Sequence, residues 1–227
     1  MPVYFHDNQP PAIAQEEIDR WKAVPPAVAA DLVTDGQNRS VQIDPAIRPL
    51  KPAGQQPKLF GRAVTALCEP PDFGPVLYAA DLITKGDVLV IAAGGHSETA
   101  MIGEIVCGYL KRQGAVGVIC DGAIRDVGAI AKMHNFSAYT RHVTPRGPTS
   151  ADRGAVNATV VVGGRPIAPG DLIIGDDDGL IALSVRGIRE GIQACEDKLA
   201  NEHIWELSLT SGNSAAETFN LPPAQRP

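Results

Sequence analysis

Glu104, an interval of twenty residues, and then Arg125-Asp126 set an acid, a permanent cation and a second acid along the chain. An Asp holds a hard divalent cation through oxygen, and the two-pronged guanidinium of Arg clamps a carboxylate. Such a set can polarise a small 2-oxo acid, so the spacing reads as a candidate metal-assisted active site. Upstream, Gly94-Gly95 lets backbone approach a ligand closely, and Gly103 removes a side chain where a helix should start. The unpaired amides of Glu104, Ile105 and Val106 in that first turn can then accept an anion. Plainer readings exist for each part. The glycines could only make turns, Glu104 could only favour a helix N-terminus, and Arg125 could be a surface charge. Asp126 could be a simple N-cap, worth about 1 kcal/mol.

The elements that would position these residues follow from periodicity and punctuation. Gln15 to Val24 reads as a short amphipathic helix stopped by Pro25-Pro26, with a further turn or two in 27–33. Residues 35–58 are polar and Pro-rich, an extended connection. Strands are expected over 59–67, 87–92 and 116–120, and helices over 75–83, 103–113 and 127–133. Residues 93–99 form a loop, and Asp121 to Asp126 another. This alternation favours a layered α/β core. Three short β runs follow at 158–164, 171–176 and 180–184, separated by Gly, Pro and Asp turns, which suggests an antiparallel or mixed β portion. Residues 187–209 read as a long helix, and 211–227 as a polar, frayed tail. The chain divides accordingly into N-terminal helices and connection (1–58), an α/β core (59–186) and a C-terminal helix with tail (187–227).

Totals narrow the function. At 227 residues, 44% hydrophobic and 20% charged, the chain suits one well-buried soluble domain. Net charge is -6 and no stretch concentrates Lys and Arg, so a nucleic-acid or anionic-membrane partner lacks its usual footprint. Cys68, Cys107, Cys120 and Cys195 are too widely spaced for a zinc knuckle or a dense disulfide framework. The first residues lack the basic and apolar regions of a secretory signal, and no apolar run approaches a membrane span. A reducing cytosol is the simplest home.

The segment GGHSETAMIGEIVCGYLKRQGAVGVICDGAIRD resembles the RraA-like group, which includes 4-hydroxy-4-methyl-2-oxoglutarate and 4-carboxy-4-hydroxy-2-oxoadipate aldolases. That group carries an acid, twenty residues and Arg-Asp, matched here by Glu104, Arg125 and Asp126. KGDVLVIAAGG and APGDLIIGDDDGLIAL are similar to it in the same order, so the resemblance spans about residues 75–185. It implies a layered β/β/α, swivelling-domain-like fold and a homotrimer or homohexamer. It also implies a metal-dependent pyruvate aldolase, some relatives of which decarboxylate oxaloacetate. By position Asp126 would ligate Mg²⁺ or Mn²⁺, and Glu104 would hold metal-bound waters. Arg125 would contact the pyruvoyl carboxylate and keto oxygen, opposite the amides of Ile105 and Val106. A further acid from a neighbouring copy is expected near the C-terminus; Glu202 is chosen over Glu196 and Glu206 for its place after the long helix. The group also contains non-enzymatic members that bind and inhibit ribonuclease E, and these are usually shorter at that end.

Other residues carry less. His96 could contact a distal carboxylate of the substrate or be a plain loop histidine. His134, Arg141, His142 and Arg146 could line a neighbouring subunit's entrance, or be solvated loop residues. Asp176-Asp177-Asp178-Gly179 lacks the alternating spacing of a calcium loop. Asp72-Phe73-Gly74 spells a kinase motif without the nucleotide loop that would give it meaning.

Overall fold

The computed structural model describes residues 2–10 and 12–225. A short strand β1 (Val3–Phe5) precedes α1 (Gln15–Arg20), which tightens into a 3-10 turn before Pro25. α2 (Pro26–Leu32) opens on proline, tolerated there because the first-turn N–H would lack a partner anyway. The polar connection contributes only β2 (Arg48–Pro49). Then come β3 (Leu59–Leu67), α3 (Gly74–Asp81), β4 (Asp87–Ala92), β5 (Ala100–Ile102), α4 (Glu104–Gln113), β6 (Gly117–Ile124), α5 (Val127–Ala131) and β7 (Ser137–Val143). The remainder is β8 (Gly154–Val156), β9 (Val160–Val162), β10 (Arg165–Ile167), β11 (Leu172–Gly175), β12 (Leu180–Leu183), α6 (Val185–Thr210) and α7 (Ala215–Thr218).

One ten-stranded sheet runs β1-β8-β3-β4-β6-β7-β2, with β11 and β12 joined at β3 and β5 joined at β6. β3, β4, β6 and β7 are mutually parallel, while β11 and β12 pair antiparallel. The period-2 alternation of strands sorts the core into layers. Leu89 and Ile91 of β4 and Val118 and Cys120 of β6 face α3, α4 and α5. Val88, Val90 and Ile119 face the other way, onto Val160, Val162 and Ile167 of the β9–β10 ribbon. A third cluster joins α1, α2 and the first half of α6 to β11 and β12. The layering is β/β/α, with the helices on one face of the sheet and the ribbon on the other.

Three expectations need correcting. β6 does not stop at Cys120 but continues to Ile124, so the expected Asp121–Asp126 loop shrinks to its last two residues. Asp121 can lie in a buried strand because its carboxylate accepts from Arg141 Nε (2.6 Å) and the Gly163 amide (2.7 Å). Arg141 is therefore no solvated loop residue; it lies on β7 and also pairs with Asp44 at 2.9 Å. The expected frayed tail contains α7, capped by Ser214 and Glu217, with Phe219 packed edge-on against Trp205 at 5.3 Å.

One buried acid opposes stability. Burial pushes the Asp171 carboxyl up to about 6 from 3.8, against the opposing pull of the Ala168 amide and Arg62. The folded state thus binds this proton more tightly than the unfolded chain does. The group costs nothing below about pH 4, and its penalty grows as pH rises toward and past 6, reaching on the order of 2–3 kcal/mol. Asp171→Asn keeps an oxygen for the Ala168 amide. The variant should gain about 2 kcal/mol in denaturant unfolding at pH 8 and almost nothing at pH 4. An equal gain at both pH values would show that charge is not the cause.

Candidate active site

β6 ends at Ile124 and the chain turns at once. The Arg125 amide donates to the Ile102 carbonyl at 3.1 Å, which ties the turn to β5. Asp126 then adopts φ 57° and ψ 34°, left-handed backbone that costs an L-residue about 1 kcal/mol, though Asp less than most. That conformation decides where its carboxylate goes. The side chain makes no cap bond to α5. Instead Oδ2 accepts the Glu104 amide at 3.2 Å, at the start of α4, and lies 3.5 Å from Arg125 Nε. Asp126 is thus not the simple N-cap that was one reading of the sequence.

Arg125 is held by absence of bulk on two sides. A Cβ on Gly103 would stand 2.9 Å from Arg125 Cγ and 2.5 Å from Asp126 Oδ2, and one on Gly147 would strike Arg125 Nη1. The guanidinium therefore sits in a slot between the two glycines. Gly103 itself is extended backbone, φ -148°, so its role is steric rather than conformational. A cleft of about 210 Å³ opens over this pair. Its polar floor is Arg125 and Asp126; its walls are Phe73, Met101, Ile102, Ile105, Val106 and Pro148. The amides of Ile105 and Val106 have no acceptor among the described residues and point out of the first turn of α4. The partial positive charge there suits an anion.

The chain thus brings Gly103, Ile105, Val106, Arg125 and Asp126 together. Glu104 contributes its amide to Asp126, while its carboxylate is exposed and does not line the cleft. Glu202 sits on α6, paired with Lys198 at 3.6 Å, and α6 packs on α1, α2, α7 and β12, none of which lines the cleft. Glu196 is engaged by Arg20. Gly94 and Gly95 take φ 59° and 76° and fold over Asp121, whose carbonyl accepts the Gly95 amide at 2.9 Å, so they do not reach the cleft. His96 is turned into its own loop, its Nε2 accepting the Thr99 amide at 3.1 Å. Sequence reasoning missed Phe73, Met101, Ile102, Gly147 and Pro148; of these only Phe73 lies in a noted string, Asp72-Phe73-Gly74.

The donor set discriminates among metals. Asp126 Oδ1 has no partner among the described residues, and the side chain is 42% exposed. Among those residues no three His, Cys, Asp or Glu side chains gather into a metal-binding group. One carboxylate with a single open oxygen in a solvent-exposed cleft fits a hard dication that keeps most of its waters, such as Mg²⁺ or Mn²⁺, and not a closed zinc-type cage. Cysteine nucleophiles do not fit either. Burial pushes Cys68 and Cys107 up to about 12, and Cys120 and Cys195 are raised by the same cause.

Comparison with known proteins places the chain in a family and a fold. The model of the RraA-like family, described as Aldolase/RraA, matches residues 27–182. A protein of Halalkalibacterium halodurans named "Putative 4-hydroxy-4-methyl-2-oxoglutarate aldolase" is 30% identical over 210 residues, covering 91% of this chain and 96% of its own. An uncharacterized protein from Pseudomonas syringae pv. tomato has the same fold, with TM-score 0.81 at 22% identity over 96% of this chain and 99% of its own. Streptomyces coelicolor RraAS2, described as an unusual member of the RNase ES inhibitor RraA protein family, superposes with TM-score 0.71 at 25% identity, over 89% of this chain and all of its own. Family model, full-length relative and shared fold converge: the chain belongs to the RraA-like family.

Proposed function

We propose that this protein is a divalent-metal-dependent lyase that cleaves a 4-hydroxy-2-oxo acid to pyruvate and a second carbonyl compound. The observation that carries the reading is the turn at Arg125-Asp126. It sets a guanidinium and a carboxylate with one open oxygen beside the free amides of Ile105 and Val106 in a single cleft.

The substrate carboxylate would lie between those amides and Arg125, which fixes C1 and C2 against the Asp126 side of the cleft. A Mg²⁺ or Mn²⁺ held by Asp126 would supply Lewis-acid polarisation of the C2 carbonyl and stabilise the enolate released on cleavage. As the C3–C4 bond breaks, the 4-hydroxyl would pass its proton to a solvent molecule in the open cleft and C4 would become a carbonyl. The electron pair would pass to C3, which would take a proton back from that solvent molecule to give pyruvate. Arg125 stays charged throughout and stabilises the developing anion, a contribution of about 3 kcal/mol per well-placed donor. The apolar wall from Phe73, Met101 and Pro148 limits water at C3. No lysine lines the cleft among the described residues, so nothing there offers a Schiff base.

Glu202 enters this reading as the acid delivered by a neighbouring copy in a trimer or hexamer, and Glu104 as a holder of water at the rim. No described helix is long and apolar enough to cross a membrane, and all four cysteines are free and buried. We place the protein in a reducing cytosol on that thiol usage. Pyruvate release over a panel of hydroxy-oxo acids tests the function, run with EDTA and again with Mg²⁺ or Mn²⁺ restored. Release should vanish in EDTA and return with the ion. No release from any panel member or from oxaloacetate, together with capture of ribonuclease E, would favour a regulator of RNA processing instead.

A further inference from the structure

Asp72 is fully buried, yet nothing in the proposed reaction uses it. Its Oδ2 accepts the Ser150 hydroxyl at 2.6 Å and the Asp152 amide at 2.9 Å, and its Oδ1 accepts the Gly74 amide at 3.2 Å. Arg153 Nε stands 3.7 Å away. Backbone bonds reinforce the seam, from the Phe73 amide to the Ser150 carbonyl (3.1 Å) and from the Thr149 amide to the Pro71 carbonyl (3.3 Å). Two segments distant in sequence, 71–74 and 149–152, are thereby sewn together around one carboxylate.

The position of that seam matters more than its strength. β7 ends at Val143, so residues 144–149 must arch from the sheet to the seam. The other foot of the arch is fixed by the Thr144 amide on the Ile124 carbonyl (3.1 Å) and by the Ala100 amide on the Arg146 carbonyl (2.8 Å). The arch carries Gly147, whose backbone packs on the Arg125 guanidinium, and Pro148, which walls the cleft. Phe73, the residue after Asp72, walls the same cleft. A buried charge is a poor device for stability alone, since a well-packed apolar group often serves as well or better. This one has its partners spread over both segments that close the cleft.

We propose that Asp72 and Ser150 are positioning residues for the reaction: their bond sets the arch 144–149, and through Gly147 it sets the place of the Arg125 guanidinium. The inference rests on reading the cleft as a lyase site. Burial raises the Asp72 carboxyl, but the Ser150 hydroxyl and the amides of Asp152, Arg153 and Gly74 outweigh it and hold the group down at about 2. The latch is therefore ionised throughout the neutral range and should not itself shape the pH profile there.

Ser150→Ala deletes one hydroxyl from a half-buried position, and Ser150→Thr retains it. On a substrate that the parent cleaves, the Ala variant should lose about tenfold in kcat/KM, as expected for a displaced binding group. Its pH profile should match the parent's, and its melting temperature should fall by a few degrees for the lost bond to a buried carboxylate. The Thr variant should recover both activity and melting temperature, the activity to within about twofold. Asp72→Asn should show a larger loss in the same direction. Parent-like kcat/KM in Ser150→Ala would overturn the inference while leaving the lyase reading intact. So would a loss that tracks a fall in melting temperature and is not rescued by Thr. If the parent itself cleaves no panel member, the lyase reading fails and the latch proposal falls with it.

Discussion

Asp126→Asn is expected to lower metal-dependent pyruvate release by at least about a thousandfold, roughly 4 kcal/mol of barrier, without weakening the fold. Asn tolerates left-handed backbone as Asp does, and its side-chain oxygen can still accept the Glu104 amide. What it loses is the negative charge, on which both the hold on a dication and the pairing with Arg125 depend. Asp126→Gly separates the two contributions further. Glycine adopts φ 57° without the steric cost, but it loosens the unfolded chain and gives up the bond to the Glu104 amide. This variant should therefore be as inactive as Asn, with stability within about 1 kcal/mol of the parent's. A residue whose loss removes function while leaving the fold intact is doing its work in the cleft. Paired measurements of pyruvate release and thermal unfolding on the two variants decide the matter. Activity of the Asn variant within about tenfold of the parent would remove Asp126 from the metal site. If Asp126 were only a helix cap, both variants would keep activity and Gly would lose stability instead.

The fold was legible where local pattern and long-range pairing agree. Along β4, Asp87 to Ala92, every second residue is destined for the helical layer and the rest for the ribbon layer, and a short apolar run bounded by Gly86 announces it. The same holds for β3, whose expected bounds 59–67 are those observed. β6 shows where the reading stops. Asp121 looks like the start of a loop because a lone acid does not belong in a central strand. Its place is secured by Arg141, twenty positions later, and by Gly163, forty-two later. β7 escaped notice for the reciprocal reason, since Arg141 and His142 read as solvated until Asp121 and Asp44 are brought beside the arginine. A charge pair made by tertiary structure leaves no trace in either local window.

The candidate site divides along the same line. Gly103, Ile105, Val106, Arg125 and Asp126 lie at the ends of β5 and β6 and the start of α4, so one parallel strand pair sets their nearness; β5 carried no sequence signal, and the family resemblance rather than element order grouped these residues. Phe73, Gly147 and Pro148 arrive from segments with no periodic signal, drawn in by the Asp72–Ser150 seam. Glu104 marks a different limit. Spacing placed it at the helix start, but spacing says nothing of rotamer, and its exposed carboxylate does not line the cleft while its amide serves Asp126. A role for Glu202 requires a second copy of the chain, since within one copy α6 packs away from the cleft.

Gly103→Ala should cost about a hundredfold in kcat/KM while barely changing stability, a combination few glycine substitutions produce. At φ -148° any residue is comfortable, so the backbone pays no penalty. The added methyl instead enters the one space shared by the two functional groups, 2.5 Å from Asp126 Oδ2 and 2.9 Å from Arg125 Cγ. Both contacts are with side chains rather than backbone, and exposed ones, which can swing aside cheaply. That escape is what destroys the geometry. Moving Oδ2 breaks its bond to the Glu104 amide, now 3.2 Å, and moving Arg125 lifts the guanidinium from its slot against Gly147. Displacements of about 1 Å at a positioned group are enough for such a loss. Kinetics on a cleaved substrate, with a denaturant melt on the same sample, give the two numbers. A melt shifted by several kcal/mol would instead mean that the methyl strikes something rigid. Unchanged kinetics would mean that the carboxylate and guanidinium need not share this corner to do their chemistry.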